Sequence, residues 1–258
     1  MALVREGVAM MGAPGFDDAP FADIRLDGPK PVTMVYPYYE NPQFLSRQLQ
    51  NWRTYNETLR QWVRAIVIDD GSPRNPAVNV LRGNSLPIPI RLFRIEVDVR
   101  WNWLAARNIG MHHATGWCVL TDMDHMVTAQ TMHRLVAGIH DESVIYRFSR
   151  REHTGEPIHP HPNSMFMTRA MFWRVGGYDE ALSGYYGTDG DWRRRCAATA
   201  KVLTLREELV RYEYVGDSST TDYKRKQPED AGKKAIIARR GKGWRPKTLS
   251  FPYHEVEL

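Results

Sequence analysis

Four short runs of β-branched and apolar residues, Val32 to Tyr36, Ala65 to Ile68, Ile90 to Ile95 and Trp117 to Thr121, are separated by segments with helical spacing. That alternation predicts an α/β fold in which a mostly parallel sheet is flanked by helices. After the first run comes Asn41-Pro42, a helix cap and a first-turn proline, and then Phe44, Leu45, Leu49 and Trp52 at helical spacing. Further helices are expected over about Asn102 to Ala114 and Ala129 to His140, with strands at Val144 to Phe148 and Ser164 to Met167. A short helix from Thr168 should stop at Gly176-Gly177, where glycine takes the left-handed cap conformation.

Acidic clusters occur where this pattern puts strand ends or a helix start: Asp69-Asp70, Asp122-Met123-Asp124 and Asp189-Gly190-Asp191. Ligands of open α/β sheets bind at the carboxyl ends of the strands, so the clusters are expected to converge on one crevice. Asp69-Asp70-Gly71-Ser72-Pro73 is equally ordinary turn chemistry, and both readings stand. Asp122 and Asp124 are two apart on an extended segment and point to the same side. Two carboxylates at the end of an apolar strand must be solvated or neutralised, and a divalent cation neutralises them while holding a diphosphate. Arg107-Asn108 lies on the preceding helix, with Trp101 and Trp103 near its start. The run Gly184-Tyr185-Tyr186-Gly187-Thr188-Asp189 reads as a loop presenting aromatic rings, followed by a helix bearing Arg193, Arg194 and Arg195. Asp189 either caps that helix or acts as a carboxylate base beside an aromatic platform.

In this order, Pro-Tyr-Tyr at a strand end, IDDGSP, ARNIGMHHATGWCVLTDMD and FWRVGGYDEALSGYYGTDGDWRRR resemble the metal-dependent glycosyltransferases of the GT-A fold. The chain is similar to the inverting family two, and its last two segments also resemble the β-1,4-galactosyltransferases and the polypeptide GalNAc-transferases. The resemblance covers about Val32 to Arg195 and implies a nucleotide-diphosphate sugar, in the first instance a UDP-sugar, as donor. It assigns Pro37, Tyr38, Glu40, Asp69 and Asp70 to the nucleotide base and ribose, and Arg107 and Asn108 to the nucleotide sugar. Asp122 and Asp124 would match the D-x-D that holds Mn2+ or Mg2+, with Asp124 the direct ligand. Tyr185, Tyr186 and Asp191 would contact the acceptor, and Asp189 would be the base. Two departures stand out. Thr188 replaces the glutamate that usually precedes the base, and the downstream histidine that completes the metal site in relatives has only His254 to match it after His161. Either His254 folds back to the metal, or an oxygen ligand near Glu213 to Asp217 replaces it; His125, His159 and His161 are further candidates.

The formal charge of +5 is unevenly spread, because Lys224 to Lys247 carries ten basic and two acidic residues. The organisation expected is an extension over 1–30, a glycosyltransferase domain over 31–221 and a basic segment over 222–258. The acceptor would be a saccharide or a hydroxylated nucleobase in DNA held by Lys224 to Lys247. The rival is a nucleic-acid-binding protein without transferase activity. No run approaches the roughly 18 apolar residues of a membrane span, and Arg5 and Glu6 interrupt any secretory signal. Cys118 and Cys196 read as buried free thiols, and the expected location is the cytoplasm.

Overall fold

Four parallel strands supply the frame: β1 (Val32–Tyr38), β2 (Val63–Asp69), β3 (Ile90–Ile95) and β4 (Trp117–Leu120), in the spatial order β3-β2-β1-β4. This computed structural model describes Phe16 and residues 19–22, 25–213 and 231–258. The other elements are α1 (Pro42–Arg53), α2 (Glu57–Arg60), α3 (Ala77–Arg82), α4 (Trp103–His113), β5 (His125–Val127), α5 (Ala129–Ala137), β6 (Val144–Glu152), β7 (Pro157–Ile158), β8 (Met165–Thr168), α6 (Arg169–Val175), α7 (Asp189–Thr199), β9 (Lys201–Arg211), α8 (Ala231–Ala238) and β10 (Tyr253–Val256). Beyond β4 the sheet continues with β8 antiparallel to β4, β6 antiparallel to β8, β9 parallel to β6 and β5 antiparallel to β9. β10 closes the opposite edge, antiparallel to β3.

β1 is central, and its alternation sorts two apolar layers. Met34 and Tyr36 face a cluster with Leu45, Leu49 and Trp52 of α1, whereas Val35 faces one with Ile109 of α4 and Phe172 of α6. Both faces are covered, which is why the strand reads as continuously apolar. α4 can press against the sheet because position 110 is glycine: a Cβ there would lie 2.3 Å from Val35 Cγ1 and 2.8 Å from Ile68 Cδ1.

α1 starts as its sequence dictates, with Asn41 Oδ1 accepting the Phe44 amide at 3.1 Å and proline in the first turn. On its buried face Gln48 Nε2 donates to the carbonyls of Met123 (3.0 Å) and His125 (2.9 Å), and Asn51 Nδ2 donates to that of Val127 (2.8 Å). The first crossover helix therefore fixes the backbone of the acidic loop after β4. Thr168 caps α6 through the Met171 amide at 3.1 Å, and Gly176 ends it at φ 99°.

The C-terminal segment is built into the fold. Glu180 Oε1 accepts the Leu249 amide at 2.7 Å, and Glu180 Oε2 accepts the Ser250 amide at 2.7 Å. Arg91 then makes a two-pronged pair with Glu255 on β10 at 2.7 and 2.8 Å. The described residues before β1 are also tied to the body: Ala22 donates to the Thr204 carbonyl at 2.8 Å and Phe16 is fully buried. Among the described residues no helix is long and apolar enough to cross a membrane.

Candidate active site

The carboxyl ends of β1, β2 and β4 open onto one crevice, where the strand order reverses direction between β1 and β4. Asp70 and the Asp122-to-Asp124 loop both stand at this rim. The Asp70 amide donates to Tyr38 O at 2.8 Å, and Thr121 N lies 3.4 Å from Val35 O.

Asp69 proves to be the turn residue of its pair. Its Oδ1 accepts the Ser72 amide and its Oδ2 the Ala77 amide, each at 2.8 Å, and Arg94 adds a contact at 3.2 Å. Gly71 makes the turn possible at φ 74°, where a Cβ would lie 2.8 Å from Val97 O. Asp70 differs. It is 5% exposed and lies against the fully buried Asn102. Burial first, then the carboxylates of Asp69 and Asp98, push the Asp70 carboxyl well above its ordinary range, against an opposing pull from Asn102.

Two other nucleotide candidates are occupied by the protein itself. The buried Tyr38 donates its hydroxyl to Asn75 O. Glu40, at φ 51°, accepts the Arg74 amide at 2.7 Å and Asn75 Nδ2 at 2.8 Å, so it ties the β1–α1 loop to the β2–α3 loop. Burial opposes its charge, but these donors prevail and hold its carboxyl below the usual range. Pro37 is half-buried on β1, opposite Ile68.

Asp122 and Asp124 are each about one-third exposed, at 36% and 32%. Each has one oxygen restrained. Asp122 Oδ1 accepts from the fully buried Arg107 at 2.5 Å, and Arg107 also donates to Tyr178 Oη at 3.2 Å. Asp124 Oδ1 lies 2.6 Å from His125 Nδ1, while Arg150 Nη1 lies 3.1 Å from His125 Nε2. Arginine can only donate, so this arrangement assigns the His125 proton to Nδ1. On the far side of the pair His161 Nε2 stands 3.4 Å from Asp122 Oδ2. Burial, with the neighbouring His125, keeps the His161 imidazole well below its usual range and hence neutral at pH 7.

Several expectations need correction. Asn108 does not face the crevice: it clips the loop after α6, accepting the Tyr178 amide at 2.8 Å and donating to Glu180 Oε1 at 2.7 Å. Asp191 is buried beneath Arg195 (3.2 Å) and Arg240, which leaves it no room for an acceptor. Tyr185 packs on the backbone of Gly232. His254 sits on β10, paired with Arg94 of β3, and lines a cavity of about 290 Å³ with Asp69, Ser72 and Arg94. Four strand spacings separate β10 from β4, roughly 19 Å, so His254 cannot complete a cation site with Asp124. Among the described residues no group of three or more His, Cys, Asp or Glu side chains is placed to hold a metal ion. The alternative oxygen ligands at 214–217 lie outside the described residues.

Tyr186 remains at the surface, 40% exposed, with its ring edge-on to Trp101 at 5.5 Å between centroids. Asp189 is the first residue of α7, its carboxylate 24% exposed and 3.5 Å from Arg193. The loop carrying both is moored to the crevice by Ser183 Oγ, which donates to Asn102 Oδ1 at 2.6 Å. Sequence reasoning missed Gln48, Arg150, Tyr178 and Arg240. Gln48 carried a legible signal, a polar residue on the apolar stripe of α1; the others join elements far apart in the chain.

The sequence profile of glycosyl transferase family 2 matches residues 35–197, which runs from β1 through the crevice into α7. The chain belongs to glycosyl transferase family 2. No curated protein matches this family 2 chain by sequence. Among solved structures, S. aureus TarS 1-349 in complex with UDP-GlcNAc is 10% identical, with a TM-score of 0.61 over 74% of this chain and 61% of that one. The mannosyltransferase PcManGT from Pyrobaculum calidifontis, in complex with GDP-Man and Mn2+, is 17% identical, with a TM-score of 0.57 over 86% of this chain and 72% of that one. GalNAc-T7 with UDP, GalNAc and Mn2+ is 17% identical, with a TM-score of 0.55 over 76% and 48%. This family 2 chain spans about three-fifths of the TarS 1-349 length. At these identities the likeness establishes a shared GT-A fold.

Proposed function

We propose that the protein moves a sugar from a nucleotide-diphosphate sugar, in the first instance a UDP-sugar, to an acceptor hydroxyl with inversion at the anomeric carbon. One observation carries the reading: at the switch point of a family 2 fold, Asp122 and Asp124 are both about one-third exposed, each with one oxygen held by a buried neighbour, Arg107 or His125. Such a donor set fits Mn2+ or Mg2+, which bind through one or two carboxylates together with substrate phosphates. When bound, the cation would offset the charge developing on the leaving diphosphate. That PcManGT and GalNAc-T7 were solved with Mn2+ supports the choice of metal.

The chain's own residues divide the remaining work. Asp70, held by Asn102 at the end of β2, would contact the nucleoside. Arg107 and the His125–Arg150 pair hold the carboxylates in position, so no reorganisation is needed when the donor arrives. Trp101 and Tyr186 offer an aromatic edge to a sugar ring. Asp189 would accept the proton of the attacking hydroxyl from the face opposite the diphosphate, giving inversion.

A saccharide acceptor is favoured over DNA because part of the basic segment is consumed by the fold. Arg240 pairs with Asp179 at 2.6 Å and with Asp191, and Lys233 Nζ donates to Tyr186 O at 2.6 Å. Lys224, Arg225 and Lys226 lie outside the described residues. A DNA acceptor would instead require binding that falls steeply with salt.

The test is Asp189→Asn. Transfer should fall by about 10² to 10⁴ while donor binding, followed by calorimetry, stays unchanged. Transfer at the wild-type rate would remove Asp189 from the mechanism.

A further inference from the structure

Residues 231–258 lie outside the 35–197 stretch that the family profile matches, yet they meet the loop that carries Tyr186 and Asp189 at both its ends and its tip. The loop, residues 183–188, joins a 3-10 turn at Glu180–Leu182 to α7. One guanidinium ties its flanks together. Arg240 Nη2 is 2.6 Å from Asp179 Oδ2, just before the turn, and Arg240 also pairs with Asp191 in the first turn of α7. The C-terminal segment adds backbone bonds there, with the Lys247 amide donating to Asp179 Oδ1 at 3.0 Å and the Glu180 amide to the Lys247 carbonyl at 2.8 Å. The two feet of the loop are therefore fixed independently of its tip.

The tip is held by a side chain of α8. Gly184 at φ 89° and Gly187 at φ 68° turn the backbone, and Lys233 Nζ donates to Tyr186 O at 2.6 Å and to Gly187 O at 3.4 Å. Helical spacing aims that ammonium: Ile236 and Ile237 lie three and four residues after Lys233, hence on its face of α8, and both pack on the cluster that contains Trp192 of α7. Gly232 lets α8 come this close, because a Cβ there would lie 2.9 Å from ring carbons of Tyr185. An ammonium on a neutral carbonyl makes a charge-assisted bond, roughly twice as strong as a neutral one. Asp189 follows Gly187 by two residues, so a shift of these carbonyls carries the Asp189 carboxylate and the Tyr186 ring with it.

We propose that Lys233 is a positioning residue for the transfer: its ammonium holds the Tyr186–Gly187 backbone so that the Asp189 carboxylate and the Tyr186 ring stand where the attacking hydroxyl arrives. This inference rests on the reading of Asp189 as the base. It gives part of the acceptor side to a segment that the family profile does not cover. It also separates two cations of that segment, Arg240 for the fold and Lys233 for the geometry of the reaction.

The experiment measures nucleoside diphosphate release from a panel of UDP- and GDP-sugars by the full chain with Mn2+. Water stands in for the acceptor: its oxygen bonds to the anomeric carbon, the bond to the diphosphate breaks and Asp189 takes the proton. Lys233→Met keeps the aliphatic stem and removes the donor group. It should lower kcat by about tenfold or more, because small misplacements of a reacting group are costly, and leave the donor KM unchanged. Amide exchange across residues 184–190 should quicken about tenfold, the loss of one hydrogen bond to a charged group. Lys233→Arg, which can donate to both carbonyls, should restore wild-type kcat and exchange, and Lys234→Met, at an exposed position of α8, should change neither. A kcat that stays at the wild-type value in Lys233→Met, or that falls only in step with the urea midpoint, would overturn the proposal, as would a change confined to the donor KM. Asp189→Asn, run alongside, separates the two readings. If it loses release while Lys233→Met does not, the inference alone falls. If it releases at the wild-type rate, or the wild-type chain releases nothing from any donor, the reading of Asp189 falls and the inference with it.

Discussion

Asp70 shows how one carboxylate can lower stability and still serve a site. With its burial and the neighbouring Asp69 and Asp98 raising its affinity for a proton, the native state keeps a proton that the unfolded chain releases. Stability should therefore decline as pH rises from the ordinary carboxylate range toward the raised value. Asp70→Asn removes this effect. It should melt higher than the wild-type protein at about pH 8 and bind the nucleotide sugar more weakly, as measured by thermal melts across pH and by donor titration. A variant that melts lower at that pH would mean that the Asn102 hydrogen bonds to Asp70 outweigh the effect of its burial. Only half of this was legible in the sequence. IDDGSP announced both a turn and a ligand contact, and the structure divides the two roles between adjacent residues, Asp69 to the turn and Asp70 to the rim. The D-x-D reads in the sequence as an extended segment, but Met123 and Asp124 lie in a turn closed by the His125 amide on the Asp122 carbonyl at 3.1 Å, so alternation does not set their directions. That Arg107 would lie behind Asp122 was not legible either, since it depends on how α4 packs on the sheet.

At the scale of elements, the strand and helix runs through β4 follow their local patterns closely, whereas β9 and β10 do not. Lys201–Arg211 contains Arg206-Glu207-Glu208, residues that favour helix, and becomes a strand because β6 and β5 pair along both of its edges. Tyr253–Val256 is a strand only because β3 offers an edge. The close approach of α4 to the sheet can be tested at Gly110. Alanine is the better helix former by about 1 kcal/mol, but the overpacking against Val35 and Ile68 costs about 1–3 kcal/mol. Gly110→Ala should therefore destabilise the fold and Gly110→Val more so, read as a lower urea midpoint; an unchanged midpoint would show that α4 has room to shift. Arg240 is the matching test for the C-terminal segment. It is 12% exposed, covers Asp179 (1% exposed) and Asp191 (8% exposed), and lies over the Trp244 ring at 3.7 Å. Arg240→Met leaves two buried carboxylates without it and should cost about 3–5 kcal/mol. The exposed neighbour Lys242→Ala should stay within about 0.5 kcal/mol. Equal effects would return Arg240 to the solvated surface that a basic tail suggests.

For the whole molecule, the net charge of +5 gives little guidance to function. A basic C-terminal segment suggested nucleic acid, yet Arg240 pairs with Asp179 and Asp191, and Lys233 donates to the Tyr186 carbonyl in the loop before Asp189. Charge counts along a sequence cannot register this, because the partners of Arg240 lie 49 and 61 residues away. What unifies the molecule is the crevice, where β1, β2 and β4 end, α1 pins the acidic loop and the 183–187 loop closes on Asn102. The direct measurement is nucleoside diphosphate release from a panel of UDP- and GDP-sugars by the full chain, with Mn2+ and with EDTA, beside Asp122→Ala. The account predicts release from at least one donor that requires Mn2+ and is lost in EDTA and in the variant. Release that persists in both would contradict it.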